Sequence, residues 1–152
     1  MISAEEIKRL REETGAGIME SKRALEEANG DIAKAKEILA GSADAIAKKK
    51  AERETHSGLI ECYCHANKIG VLLEVACESD FVAKNQDFKT MVHNIAMQIA
   101  SMAPQDVTEL LKQEYIMDSS MNIEAYIKSV ILKIRENIQV KRFIRYELGE
   151  NS

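Results

Sequence analysis

Apolar residues recur at helical spacing from the start of the chain, and Ile7, Leu10, Ile18, Leu25, Ile32 and Leu39 together predict a small shared core. Ser3-Ala4-Glu5-Glu6 has the form of a capping box, in which hydroxyl and carboxylate satisfy backbone N–H groups at a helix start. The first helix should run to about Glu13, where Thr14-Gly15-Ala16-Gly17 interrupts it. A second helix is expected from Ile18 to Ala28, stopped by Asn29-Gly30. Asp31 then caps a third that ends near Gly41. Residues 1–41 therefore read as a three-helix module. Ser42 to Glu54 is rich in alanine and lysine without a large apolar face, so residues 42–57 read as a solvated helical linker.

After His56-Ser57-Gly58 the period changes to two. Leu59 to Cys64 and Val71 to Cys77 read as strands of a hairpin turning through Ala66-Asn67-Lys68-Ile69-Gly70. Helical spacing returns from Ala83 to Ala103 (Phe88, Met91, Val92, Ile95, Ile99, Met102) and stops at Pro104, the single proline. Two more helices are expected, about Gln105 to Tyr115 and Met121 to Asn137, before the β-rich stretch Ile138 to Leu148 closes at Gly149. The fold class is α+β: a three-helix module, a helical linker, and over residues 58–152 a small antiparallel sheet packed with helices.

Composition narrows the function. The chain has 152 residues, 45% of them hydrophobic, with net charge −4 and a pI near 5.5, so it lacks the basic excess expected of a stand-alone nucleic-acid binder. Met1 to Arg11 is charged rather than signal-like, and no apolar run is long enough to span a bilayer; a cytoplasmic protein without membrane attachment is expected. Cys62, Cys64 and Cys77 are an odd number of thiols and suit a reducing compartment.

Little catalytic chemistry suggests itself. Cys62, Cys64, His65 and Cys77 offer soft zinc ligands, but the hairpin register places Cys77 opposite the far end of the first strand, too distant to converge with the others. The other histidines, His56 and His93, have no evident carboxylate partner, so a cysteine nucleophile lacks its base. No phosphate-cradling glycine loop is present. No metal, no cofactor and no covalent catalysis are expected. Two local oddities remain. In Ser79-Asp80-Phe81-Val82 a capping residue precedes an aromatic that must either staple the helix inward or project outward, and pattern alone favours the staple. Thr14 to Gly17, on pattern alone, is a mere interhelical turn.

Those two stretches also carry a resemblance. Leu10-Arg11-Glu12-Glu13-Thr14-Gly15-Ala16-Gly17-Ile18-Met19 with Lys22-Arg23-Ala24-Leu25 and Ala28 to Asp31, then Gly70 to Val75 and Cys77 to Asn85, and finally Glu136-Asn137-Ile138 through Arg142-Phe143 to Glu150, resemble the signature blocks of the elongation factor Ts family. Ser79 stands where that family usually has threonine, which keeps the hydroxyl cap. The chain also stops where the first of two core halves ends in long members, whose projecting helical hairpin it lacks.

The resemblance implies a ubiquitin-associated-like module that docks on the GTPase elongation factor Tu in its GDP-bound form, through Leu10, Arg11, Thr14, Gly15, Ala16, Gly17, Met19 and Lys22. It further implies that Ser79, Asp80, Phe81 and Val82 enter beside the Mg²⁺ and phosphate site and promote GDP release. With one core half and an exposed sheet edge, a homodimer is expected. The alternative from another class is a non-catalytic protein-interaction module built on a ubiquitin-associated-like domain.

Overall fold

The structure, a computed structural model, describes residues 1–150. It divides into two compact units, one of Met1–Glu52 with Lys128–Arg135, the other of Arg53–Ile127 with the residues from Glu136 on.

In the first unit the capping box at Ser3 is complete: the Ser3 N–H donates to Glu6 Oε2 at 2.7 Å and the Glu6 N–H to Ser3 Oγ at 3.2 Å. Helix α1 (Ala4–Thr14) ends at Gly15, whose φ of +74° suits a residue without Cβ, and the Gly15 N–H donates to the Arg11 carbonyl. Helix α2 spans Ile18–Glu27 and α3 spans Ile32–Lys50, the latter capped by Asp31. Leu10, Leu25, Leu39 and the small Ala24 and Ala35 form the core, joined by Leu132.

Two expectations change here. Helix α3 does not end at Gly41 but continues to Lys50, and Ala35, Leu39, Ala43 and Ala47 lie buried at four-residue spacing. The stretch expected to be a solvated linker is the second half of a packed helix, because alanine seams bury little side chain yet let helices approach closely. Ile18, expected in the core, is 56% exposed.

In the second unit β1 (Ser57–His65), β2 (Ile69–Cys77) and β5 (Ile138–Glu147) form an antiparallel sheet in the order β1-β2-β5. Cys77 lies opposite Ser57 and Ile138, and His65 opposite Ile69. Helix α5 (Gln86–Met102) packs on β1 and β2, and its Phe88, Met91, Val92, Ile95 and Ile99 are fully buried, as are Leu73 and Val75 of β2. Truncating a core aromatic such as Phe88 would cost about 3–5 kcal/mol.

The long helix expected from Ala83 is two. The one-turn α4 (Asp80–Ala83) and α5 are separated because Asn85 turns extended and caps α5, its Oδ1 accepting from the Asp87 and Phe88 N–H groups at 2.8 and 3.3 Å. Helix α6 is short (Val107–Lys112), and a two-stranded hairpin, β3 (Glu114–Tyr115) and β4 (Asp118–Asn122), precedes α7 (Ile123–Ile134). The buried Gln98 holds that hairpin, accepting from the Ile116 N–H at 2.9 Å and donating to the Glu114 carbonyl at 3.0 Å.

Candidate functional site

Strand β2 ends on the buried Cys77, and the chain turns at once into α4. Ser79 is the N-cap: its φ/ψ is extended and its Oγ accepts the Val82 N–H at 3.3 Å. Asp80 and Phe81 thus occupy the first positions of a one-turn helix just past the end of the sheet's central strand. Phe81 is 82% exposed, whereas Val82, next to it, is 4% exposed and faces the core. Val82 takes the inward position that the pattern offered to Phe81, so the aromatic is no staple. As a buried side chain, Val82 supports the turn from beneath.

The Asp80 carboxylate is exposed and accepts a hydrogen bond from Ser57 Oγ at the start of β1. Ser57 is followed by Gly58 with φ +144°, where a Cβ would stand 2.2 Å from the Val75 carbonyl oxygen; only glycine lets β1 lie this close to β2. An open groove runs from Asp80 past Ser57 and Gly58 to Glu74 and Lys141.

The three thiols do not converge. Cys62 and Cys64 are exposed on β1, while Cys77 is buried at the other end of the hairpin, its thiol donating to the Ser79 carbonyl at 3.3 Å. Burial, reinforced by the negative charge of Glu136, pushes the Cys77 thiol up to about 11, so it is protonated and unreactive at neutral pH. Both of the other histidines do have carboxylate partners: His56 meets Glu54, two residues away, at 2.7 Å, and His93 meets Glu61 at 3.0 Å, a pair hidden from the sequence because the two lie on α5 and β1. Among the described residues no three His, Cys, Asp or Glu side chains gather as metal ligands.

In the first unit, Thr14 shapes the turn: its hydroxyl donates to the Leu10 carbonyl at 2.7 Å and accepts the Ala16 N–H at 3.3 Å. The Gly17 N–H donates to Glu20 Oε2 at 3.1 Å. Leu10 and Ala16 are buried and Thr14 and Gly15 half-buried, so they form the turn from inside. Arg11, Gly17, Met19 and Lys22 are exposed, Met19 at 66%. Ile18 belongs with Met19 as an exposed apolar pair, missed because helical spacing alone does not say which face is covered.

The sheet face opposite α5 carries a second apolar surface. Ile60, Cys62, Leu72, Ile144 and Tyr146 are all exposed, and the register sets Cys62, Leu72 and Ile144 in one row across the three strands. Glu74 and Arg142 pair at 3.1 Å in the next row. No helix among the described residues is long and apolar enough to cross a membrane.

Residues 78–152 match the family model described as Elongation factor TS. Proteins named Elongation factor Ts from Fervidobacterium nodosum and Coprothermobacter proteolyticus are 43% and 42% identical, each alignment covering 98% of this chain and 99% of the relative. Both alignments extend over 195 positions against 152 residues here, so these relatives carry several tens of residues within the matched span that this chain lacks. Another protein of that name, from Nostoc sp., is 43% identical over 99% of this chain but 48% of its own length.

Proposed function

The chain belongs to the elongation factor Ts family of translation elongation factors, and from that premise we propose that it is the guanine-nucleotide exchange factor of elongation factor Tu, acting in the cytoplasm on the GDP-bound form. It makes and breaks no covalent bond. The observation that carries this reading is Phe81: a large aromatic held in solvent at the start of a capped, one-turn helix, with a carboxylate beside it. Exposing such a ring has no folding benefit, and a rigid aromatic is the kind of anchor that fills a partner's pocket.

In the exchange step Phe81 enters the GTPase next to the bound nucleotide, and the Asp80 carboxylate disturbs the oxygen and water shell that holds Mg²⁺ between protein and phosphates. Metal and phosphate affinity then fall together. The first unit supplies the other contact, through Arg11, Ile18, Met19 and Lys22 around the turn that Thr14, Gly15 and Ala16 shape. Factor and GDP are thereby negatively coupled ligands of one protein: whatever factor the chain takes from GDP affinity, GDP takes from the affinity for the chain. GTP, once bound, displaces the factor.

The chain acts as a homodimer. The support is the apolar outer face of the sheet, where Ile60, Leu72, Ile144 and Tyr146 are exposed. The deciding experiment is release of labelled GDP from elongation factor Tu in a stopped-flow instrument. Acceleration that saturates with added chain is expected, and no acceleration would sink the exchange reading.

A further inference from the structure

Glu136, in the connection from α7 to β5, sends both carboxylate oxygens to the two residues that precede Asp80. Its Oε1 accepts the Glu78 N–H at 3.1 Å and the Ser79 N–H at 3.0 Å, and its Oε2 accepts the Ser79 hydroxyl at 2.6 Å. The contact is reciprocated: Glu78 Oε1 accepts the Asn137 N–H at 2.7 Å, and the buried Asn137 donates through Nδ2 to the Arg53 carbonyl at 2.8 Å. Donating to Glu136 aims the Ser79 hydroxyl so that its lone pair faces the Val82 N–H, which it caps. One carboxylate therefore fixes both the backbone entering α4 and the cap that starts it.

The three bonds that Glu136 accepts are only part-buried. Sheet pairing beneath is complete without them, with Cys77 already opposite Ile138, and α5 packs on β1 and β2 independently. What the carboxylate adds is a fixed direction for Phe81. Building on the exchange reading above, we propose that Glu136 is a positioning residue of the exchange site, presenting Phe81 and Asp80 preorganised so that little ordering remains to be done on the partner. It touches neither the partner nor the nucleotide.

The test uses the full chain carrying Glu136→Ala, Glu136→Gln, Phe81→Ala and the Phe81→Ala/Glu136→Ala pair, with GDP release from elongation factor Tu measured against chain concentration. Glu136→Ala should lower the maximal release rate by about tenfold while the half-saturating concentration moves by less than about threefold, because the first unit still docks. Glu136→Gln should recover to within about threefold: its carbonyl can accept both N–H groups and its amide can donate to Ser79 Oγ. In the Phe81→Ala background, Glu136→Ala should cost no more than about threefold, since only Asp80 is then left for it to position. Equal losses in both backgrounds, or a glutamine variant as slow as alanine, would overturn the proposal. The same variants are examined by amide hydrogen exchange at Ser79 and Val82, whose N–H groups are held by Glu136 and by the Ser79 cap. Faster exchange in Glu136→Ala, restored in Glu136→Gln, is expected, and unchanged protection overturns the proposal even if the wild-type chain released no GDP.

Discussion

Phe81 and Val82 are consecutive in one helical turn and face opposite ways, the ring into solvent and the isopropyl group into the core. Their truncations should therefore separate function from stability. Phe81→Ala is expected to leave the melting temperature unchanged and to slow GDP release by more than about tenfold, the equivalent of about 2 kcal/mol from a buried interface aromatic. Val82→Ala should cost about 1–2 kcal/mol of stability while the folded fraction still exchanges. A Phe81→Ala protein that exchanges at the wild-type rate would remove the wedge from the mechanism. Asp80→Asn should have a smaller effect than Phe81→Ala, and because Ser79 rather than Asp80 caps the helix, it should not unfold α4.

The outer sheet face predicts the assembly state. Leu72→Lys and Ile144→Lys place charges in the middle row of that face, where the side chains are solvent-exposed in the single chain, so the fold should survive while self-association is lost. Sedimentation velocity at micromolar concentration should show a dimer for the wild-type chain and monomers for both variants. A monomeric wild-type chain would remove the second copy from the model.

Thiol chemistry should divide two to one. Cys62 and Cys64 should react with a chromogenic disulfide reagent in the native protein at pH 8, and Cys77 only after unfolding. The folded Cys77 thiol titrates near 11 against an ordinary value of 9.0, so the folded state favours its neutral form. That contribution to stability is complete below pH 9 and is lost as pH rises through about 11. Replacing Cys77 with alanine should flatten this alkaline limb in denaturant titrations across that window, and an unchanged slope would contradict the assignment.

Two glycines of the hairpin make a stability contrast. Gly58→Ala drives a Cβ into the Val75 carbonyl at a positive φ and should destabilise by more than about 2 kcal/mol, whereas Gly70, with open space at its Cβ position, should accept alanine within about 1 kcal/mol. Urea midpoints of the two variants provide the comparison.

Much of this architecture was legible because local chemistry agreed with the global fold. The capping box at Ser3, the Asp31 cap and the period-two runs of β1 and β2 lie where the sequence puts them. What was not legible has physical causes. Alanine hides an apolar seam, so the hydrophobic pattern ends α3 nine residues early at Gly41; the hairpin strand Asp118–Asn122 is polar and without β-branched residues, so its pattern is that of loop and helix. At the site, spacing could identify Phe81 as odd but not orient it, because a one-turn helix has too few residues to define a face. Glu136 was invisible for a different reason: its bonds span 57 residues of sequence, and no local pattern encodes them.

That separation also dictates an order of events as the chain folds. The β1–β2 hairpin closes through a three-residue connection, a microsecond step, while β5 must cross a far longer loop before it can pair with β2. The Glu78 and Ser79 amides should therefore stay unprotected after those of the hairpin are slowed, and pulse-labelled hydrogen exchange during refolding that found them protected together would refute this sequence. A nascent chain would carry Phe81 well before β5 yet gain a directed Phe81 only when β5 arrives, so competence to release GDP, as distinct from docking through the first unit, waits on the pairing of β5 with β2.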